Sequence, residues 1–244
     1  MKLTVLGAYG PFPAPGGACT GFLLENERHR ILLDCGNGVI SRLQKYVNPW
    51  ELDAIVISHL HSDHISDLFI LRYALDMAGN KGLLSRSMDV YAPEEPAEEY
   101  ARIPYKNVYN VIPLKADQII EAGSFQISFL PTIHPLPCLA MKIKSGDKSL
   151  VYSGDTEYFP ELIQFASGCD LFLCEANFQN EDMKVPRKNH LSAFEAGTIA
   201  AKAKVRKLLL THLPPGGDIS ISLKEAKEAF ADTETAVEDK TYFI

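Results

Sequence analysis

The chain has 244 residues, of which 46% are hydrophobic and 23% are charged, as is typical of a folded globular protein. This length is enough for one large domain with a substantial core, so we predict a single domain over residues 1–244. The formal net charge of −7 disfavours broad, non-specific binding to nucleic acid, because such binding needs an excess of lysine and arginine. No apolar stretch approaches membrane-spanning length.

The cysteines are odd in number and none has Cys-x-x-Cys spacing, which favours reduced thiols over a disulfide framework. They are Cys19, Cys35, Cys138, Cys169 and Cys174. Residues 1–6 are apolar only briefly before Gly7, which is too short for a signal peptide. We therefore predict a cytoplasmic protein.

In the first half of the chain, short apolar runs alternate with turn residues and predict strands. The predicted strands are residues 3–6, 21–25, 30–33, 54–57, 88–91 and 108–114. A glycine- and proline-rich loop over residues 7–20 separates the first two, and its length is typical of functional loops. Helices are predicted near residues 39–46 and from Ile65 to a stop at residues 79–82.

The second half predicts strands that later alternate with helices. The predicted strands are residues 124–130, 138–143, 149–152, 171–174 and 208–210, and the predicted helices are residues 159–166, 192–204 and 223–231. Ser192 and Glu195 form a capping box at the start of the second of these helices. The acidic residues 94–99 are predicted to be a solvated helix start without a chemical role. The pattern indicates an α/β (α+β) protein with two mixed sheets flanked by helices.

The sequence His59-Leu60-His61-Ser62-Asp63-His64 places three imidazoles and a carboxylate within six residues. It lies between a predicted strand and a predicted helix. Residues two apart at a strand end point to the same side, so His59 and His61 can converge on one atom. Asp63 and His64 lie beyond the turn and can face a different direction. This geometry suits two neighbouring metal ions better than one.

Further polar residues stand just after predicted strands or before a predicted helix, namely His134, Asp155, Glu175, His190 and His212. In open α/β sheets, ligands bind in the crevice outside the carboxyl ends of the strands. Six of the seven histidines lie at such junctions, and we predict that the seventh, His29, is a solvated turn residue outside the site.

Imidazoles and carboxylates are the ligands that Zn²⁺ favours, and the number of candidates fits two ions. One ion would bind to His59, His61 and His134, and the other to Asp63, His64 and His212. Asp155 would bridge the two ions. Zinc is the first expectation, with manganese or iron as alternatives, because metal availability often decides occupancy.

The pattern His59-x-His61-x-Asp63-His64, followed by His134, Asp155 and His212, resembles the metallo-β-lactamase superfamily of hydrolases. This resemblance covers nearly the whole chain and implies a four-layer αβ/βα sandwich. It also implies a hydroxide bridging the two metals as the nucleophile, with Asp63 helping to hold and orient it. The bridging residue is Asp155 rather than the cysteine of many true β-lactamases, so antibiotic hydrolysis is not expected.

Three further segments resemble the ribonuclease Z-type phosphodiesterases: residues 173–178, residues 190–192 and residues 210–212. In that group, a glutamate orients a catalytic histidine, and the matching residues here are Glu175 and His190. The resemblance implies that His190 protonates the leaving oxygen or stabilises phosphate charge. It also suggests a homodimer.

The chain departs from that group at three places. Cys174 and Asn177 replace a histidine and a threonine of the group's motif. Only twenty residues separate His134 from Asp155, enough for a hairpin but not for the long arm with which ribonuclease Z grips tRNA. We therefore expect a phosphodiesterase acting on small-molecule or short nucleotide substrates, with RNA possible but not favoured. The alternatives are a tRNA 3′-processing endoribonuclease, a lactonase or thioester hydrolase, and a non-catalytic nucleotide-binding scaffold.

Overall fold

The computed structural model describes residues 1–184 and 189–244. Its strands, in chain order, are β1 (Lys2–Gly7), β2 (Gly21–Glu25), β3 (Arg30–Leu33), β4 (Ala54–Val56), β5 (Met88–Ala92), β6 (Tyr109–Pro113), β7 (Ile119–Ala122), β8 (Phe125–Pro131), β9 (Leu139–Ser145), β10 (Lys148–Tyr152), β11 (Leu171–Glu175), β12 (Leu208–Thr211), β13 (Thr233–Thr235) and β14 (Thr241–Phe243).

The α-helices are α1 (Val39–Leu43), α2 (Ser62–Ile65), α3 (Leu68–Asn80), α4 (Ala97–Tyr100), α5 (Pro160–Phe165), α6 (Ala193–Ala203) and α7 (Ile219–Ala229). Two 3-10 helices cover Pro49–Glu51 and Asn180–Lys184. Within residues 1–184 and 189–244, every helix is too short or too polar to cross a membrane.

The strands form two mixed sheets of seven strands each. The first sheet has the order β14-β1-β2-β3-β4-β5-β6, and the second has the order β13-β12-β11-β10-β9-β8-β7. Antiparallel pairs build one part of each sheet, and in the first sheet β1 pairs with both β2 and β14, while β3 to β6 and β10 to β13 are parallel. The parallel strands of each sheet therefore end at one edge, where loops to the following helices can gather polar side chains.

Three hydrophobic clusters divide the molecule into four layers. A central cluster joins the inner faces of the two sheets and includes Phe22, Phe125 and Tyr152. A second cluster packs α1 and α3 against the outer face of the first sheet, and a third packs α5, α6 and α7 against the second sheet. The predicted α/β (α+β) sandwich with two helix-flanked mixed sheets is thus confirmed, since strands buried on both faces need cover on both.

Several elements differ from the sequence-based prediction. The strands β7, β13 and β14 were not predicted, because each has only three or four residues at or near a sheet edge and carries little periodicity. The helix α1 ends at Leu43 instead of continuing to residue 46. The helix α7 begins at Ile219 instead of residue 223, because the Asp218 side chain accepts a hydrogen bond from Ser220 N and caps it. All five cysteines are buried and free.

Candidate metal centre and its acid–base pair

The histidine-rich segment lies between β4 and α2, as its sequence context predicts. His61 occupies the N-cap position of α2, and its extended backbone (φ −66°, ψ 148°) continues the direction of the strand. His59 and His64 are fully buried, whereas His61 and Asp63 are partly exposed. The segment thus presents two imidazoles from the strand side and two polar groups from the first turn of the helix.

The other predicted ligand residues come from the second sheet. His134 follows β8, Asp155 follows β10, and His212 follows β12. His212 has a positive φ of 49°, which turns the chain sharply after the strand. The first sheet contributes four candidate residues and the second contributes three, so the site lies between the two sheets at one end of the sandwich.

The first predicted set converges tightly. His61 Nδ1 lies 2.9 Å from His59 Nε2 and 3.1 Å from His134 Nε2. Ligand atoms of these three residues and of Asp155 all lie within 4.8 Å of one another. Three ring nitrogens therefore face one small volume, in the grouping that the sequence predicted for one ion.

The second predicted set converges beside the first. His212 Nε2 lies 3.2 Å from Asp63 Oδ2, and His64 Nε2 lies 3.6 Å from the same oxygen. The oxygen Asp155 Oδ2 lies between the two sets, 3.3 Å from His212 Nε2 and 3.6 Å from His59 Nε2. This placement is the one expected of a carboxylate that bridges two cations.

In three of the imidazoles, the ring nitrogen that faces away from the cluster contacts a hydrogen-bond acceptor. The Nδ1 of His64 donates to Asp34 Oδ2 at 2.8 Å, and the Nδ1 of His134 donates to the Asn189 carbonyl at 3.0 Å. The Nδ1 of His59 lies 3.1 Å from Ser58 Oγ. Such contacts fix the tautomer and leave each Nε2 free to bind a metal ion.

Asp34 is a supporting residue that the local sequence pattern did not assign to the site. Its buried carboxylate accepts hydrogen bonds from Ser58 N at 2.7 Å, and from Ser58 Oγ, Tyr152 OH and His64 Nδ1 at 2.8 Å each. Tyr152 belongs to β10, so this carboxylate joins the two sheets directly behind the site. Asp34 follows β3 just as Asp155 follows β10, so its position after a strand could have identified it as a candidate site residue.

Four of the imidazoles fall into two groups according to whether their surroundings lower or raise the pKa. Burial and the neighbouring imidazoles hold the pKa of His59, His61 and His134 below the usual value, so these rings are neutral at pH 7. Burial also opposes charge on His64, but Asp155 and Asp34 outweigh it and raise its pKa. Metal ligation needs neutral imidazole, so His64 must exchange its proton for the cation.

The carboxylates stay ionised despite burial. Burial disfavours charge on Asp155, but His212, His64 and His59 hold the pKa of its carboxyl well below the usual range. Burial likewise disfavours charge on Asp63, and His64 and His212 lower the pKa of its carboxyl. Two carboxylates beside these imidazoles favour positive charge between them.

The donor set fits divalent cations. His64 Nε2 and Asp155 Oδ1 are buried and have no hydrogen-bond partner among the described residues. Buried polar atoms without a partner are costly unless a water or an ion completes them. His59 and His134 have already committed their Nδ1 protons elsewhere, so a cation would satisfy the nitrogens that face one another at 2.9 and 3.1 Å.

Glu175 and His190 form a hydrogen-bonded pair at the edge of this cluster. Glu175 is fully buried at the end of β11, and its Oε1 lies 3.0 Å from His190 Nδ1. Burial would lower the pKa of His190, but Glu175 and Asp155 outweigh it and raise this pKa to about 9. The His190 side chain keeps 16% of its surface exposed, so its ring can reach a substrate.

Asn177 and Gly10 are two further residues that the sequence analysis did not place in the site. The Asn177 Nδ2 donates to the carbonyls of Gly10 at 2.7 Å and His212 at 3.1 Å. A Cβ on Gly10 would lie 2.0 Å from His212 Nε2, so only glycine fits there. The loop over residues 7–20 thus packs closely against the site.

His29 lies outside this cluster. It stands in the turn between β2 and β3, where its Nδ1 lies 3.0 Å from Ser124 Oγ in the turn between β7 and β8. The ring is partly buried by that contact rather than fully solvated. It therefore joins two turns at a place remote from the strand ends that carry the candidate ligands.

The fold and this cluster define a metallo-hydrolase. The family described as "Beta-lactamase superfamily domain" matches residues 29–213, and the chain belongs to this superfamily. It is 39% identical over 230 residues to the probable metallo-hydrolase YhfI of Bacillus subtilis (strain 168), covering 94% of each protein.

Two other comparisons agree with this assignment. The crystal structure of the metallo-beta-lactamase fold protein YhfI matches with a TM-score of 0.91 at 36% identity, covering 99% of this chain and 98% of that one. A ribonuclease Z of Alkaliphilus oremlandii (strain OhILAs) is 26% identical over 307 residues, covering 96% of this chain and 95% of that protein. The predicted resemblance to the superfamily and its ribonuclease Z-like branch is confirmed.

Proposed function

We propose that the protein is a dinuclear, zinc-dependent phosphodiesterase that acts on small-molecule or short nucleotide substrates, with residues 1–244 working as one hydrolase domain. His59, His61 and His134 would hold one ion, Asp63, His64 and His212 would hold the other, and Asp155 would lie between them as a shared ligand. When bound, two such ions supply a water of lowered pKa and stabilise the charge of the reacting phosphate.

The observation that carries this proposal is the pair of Glu175 and His190. A pKa of about 9 keeps His190 protonated at neutral pH, so it brings positive charge and an acidic proton to the edge of the cluster. A phosphodiester is an anion, and its leaving alkoxide needs a proton. A protonated imidazole can stabilise the negative charge and also supply the proton. The ribonuclease Z relative supports the same class of bond.

The roles of the protein's own groups follow from this arrangement. Asp63 accepts a hydrogen bond from the attacking water and orients it toward phosphorus. As the new P–O bond forms and the ester P–O bond breaks, the attacking water releases one proton to solvent and His190 gives its proton to the departing oxygen. Glu175 holds the Nδ1 of His190 and stabilises its charged form, so it is a positioning residue.

Metal quantification followed by hydrolysis of bis-p-nitrophenyl phosphate tests the proposal. His61→Ala and Asp155→Ala should abolish turnover because each removes a ligand, whereas His29→Ala removes a histidine outside the cluster and should leave turnover unchanged. Full activity in either ligand variant would rule out the two-metal mechanism. An empty site after native purification would favour a non-catalytic nucleotide-binding scaffold.

His190 requires a separate test, because it lies beside the proposed ligands. His190→Ala should retain the metal content and lower kcat, since it removes the acid and not a ligand. A loss of metal without a separate defect in turnover would make His190 a ligand or a structural residue.

A substrate panel separates the remaining alternatives. Cyclic phosphodiesters and dinucleotides should be hydrolysed faster than lactones or thioesters. Precursor tRNA should be a poor substrate, because the β9–β10 hairpin connects His134 to Asp155 without an arm. Faster turnover of a lactone or of precursor tRNA would reassign the function.

The assembly and the location of the protein also remain proposals. We propose a homodimer in the cytoplasm, on the basis of the family resemblance and of five free, buried cysteines. Light scattering of the purified protein should give twice the chain mass of 27.0 kDa, and a monomer mass would refute the dimer.

A further inference from the structure

A cavity of about 510 Å³ lies beside the candidate metal centre. His134 forms part of its wall, as do Thr132 and Cys138, which flank the same loop. Thr132 Oγ1 also donates to the Asp155 carbonyl at 2.7 Å. The cavity therefore borders the segments that position His134 and Asp155. The His134 side chain is only 1% exposed, and its Nε2 faces the metal centre on the other side of this wall.

The lining of this cavity is mostly apolar. It is provided by the leucines and prolines of three loops, among them Leu114, Pro135 and Leu136. Its charged lining residues are Glu94 and Glu95, which lie between β5 and α4 with exposed side chains. Lys115 stands between two lining residues but is not itself part of the wall. Among residues 1–184 and 189–244, no lysine or arginine lines the cavity.

Ligand pockets of this kind bind apolar groups through their walls and use a few polar groups to select and orient the ligand. Here the selecting groups are two carboxylates. A substituent with an additional phosphate would meet like charge, and a neutral one would gain only apolar contact. A substituent with a positive charge would gain both apolar contact and attraction to the carboxylates.

We propose that this cavity receives the non-leaving substituent of the phosphodiester, and that Glu94 and Glu95 are specificity-determining residues that select a positively charged alcohol. The proposal rests on the phosphodiesterase function proposed above. It also changes the interpretation of residues 94–99, which the sequence alone indicated to be a solvated helix start without a chemical role.

A pair of substrates that differ only in charge tests the selection. In p-nitrophenyl phosphorylcholine the substituent is a quaternary ammonium alcohol, and in p-nitrophenyl 3,3-dimethylbutyl phosphate carbon replaces the charged nitrogen. At low ionic strength, we expect kcat/KM for the choline ester to be about fivefold higher, the size expected for two exposed ion pairs. Added salt should reduce this preference because it screens exposed charges.

The double variant Glu94→Gln/Glu95→Gln should bring the ratio of the two kcat/KM values close to one and leave the metal content unchanged. The matched control is Glu121→Gln/Glu228→Gln, which neutralises two exposed carboxylates outside the cavity and changes the net charge equally, from −7 to −5. This control should keep the preference. Equal turnover of the two esters by the unmodified protein, or the same ratio in both double variants, would overturn the proposal.

A binding measurement tests cation selection by the cavity independently of phosphodiester hydrolysis. Titrating the protein with choline should shift the backbone amide NMR signals of Ala116 and Leu136, and the Glu94→Gln/Glu95→Gln variant should lose these shifts. If metal-loaded protein fails to hydrolyse any phosphodiester, the proposed function fails, while the choline titration still decides whether the cavity selects a cation. Absent shifts in the unmodified protein would refute the cation selection.

Discussion

Replacing Asp34 with asparagine tests the hydrogen-bond network behind the metal centre. The carboxylate accepts four hydrogen bonds, two from Ser58, one from Tyr152 and one from His64. Asp34 also has a positive φ of 54°, which asparagine tolerates better than alanine does. The substitution therefore changes the hydrogen bonding with little added backbone strain.

The size of the effect follows from counting donors and acceptors. A carboxylate has two accepting oxygens, whereas an asparagine amide has one, and its NH₂ group would point at another donor. At least one buried donor then loses its partner, which costs about 1–3 kcal/mol of unfolding free energy. His64 also loses the acceptor that fixes its Nδ1 proton, and a change of this kind lowers metal affinity by about 10–100-fold.

Two measurements check this expectation. Urea unfolding of chelator-treated Asp34→Asn protein reports the loss of stability without a contribution from metal. Competition with a chromophoric chelator reports zinc affinity. Tyr152→Phe is the control, because it removes one donor, leaves His64 paired with Asp34, and should cost about 1 kcal/mol with little change in affinity. An Asp34→Asn protein with unchanged unfolding and unchanged zinc affinity would refute the proposed supporting role.

Four other outcomes are expected. As a general acid, His190 must be protonated, so kcat should fall as pH rises through its pKa, which Glu175 and Asp155 raise to about 9 and which bound cations would lower. Glu175→Gln removes a charge that raises this pKa, so the alkaline limb should move to lower pH; an unmoved limb would exclude His190 as the acid. Gly10→Ala should weaken zinc binding at least tenfold, because the added Cβ would clash with His212. Gly79→Ala is the control and should leave zinc affinity unchanged, because its Cβ would come no nearer than 3.8 Å to Leu84 O. Equal zinc affinities of the two variants would contradict the proposed contact. Chelation should lower Tm, since saturation at 100 times Kd stabilises a protein by about 2.7 kcal/mol, and an unchanged Tm would argue against a metal site.

The residues of the candidate centre were predictable because their position follows from local rules. The spacing of His59 to His64 and the placement of Asp155 and His212 after buried strands are visible in the sequence alone. These rules operate over a few residues. They also indicate the two sheets, since the long apolar runs and the capped helix at Ser192 have clear periodicity.

The supporting contacts could not be predicted in the same way, because their partners are far apart in the chain. Asp34 meets Tyr152 across 118 positions, and Asn177 meets Gly10 across 167. Tyr152 also had an ordinary local explanation as part of a strand, and Gly10 as part of a glycine- and proline-rich loop. Glu94 and Glu95 are a third case, since only the folded chain places them in the wall of the same cavity as His134.

The candidate ligands come from both sheets, and this division has a mechanical consequence. A pair of ions held by His59 from one sheet and His212 from the other would cross-link the two halves of the sandwich, a role that disulfides fill in many secreted proteins. All five thiols of this chain are free. Loss of the ions should therefore loosen the packing of one sheet against the other, so that amide hydrogen exchange quickens on the inner faces of both sheets and not only in the loops around the site.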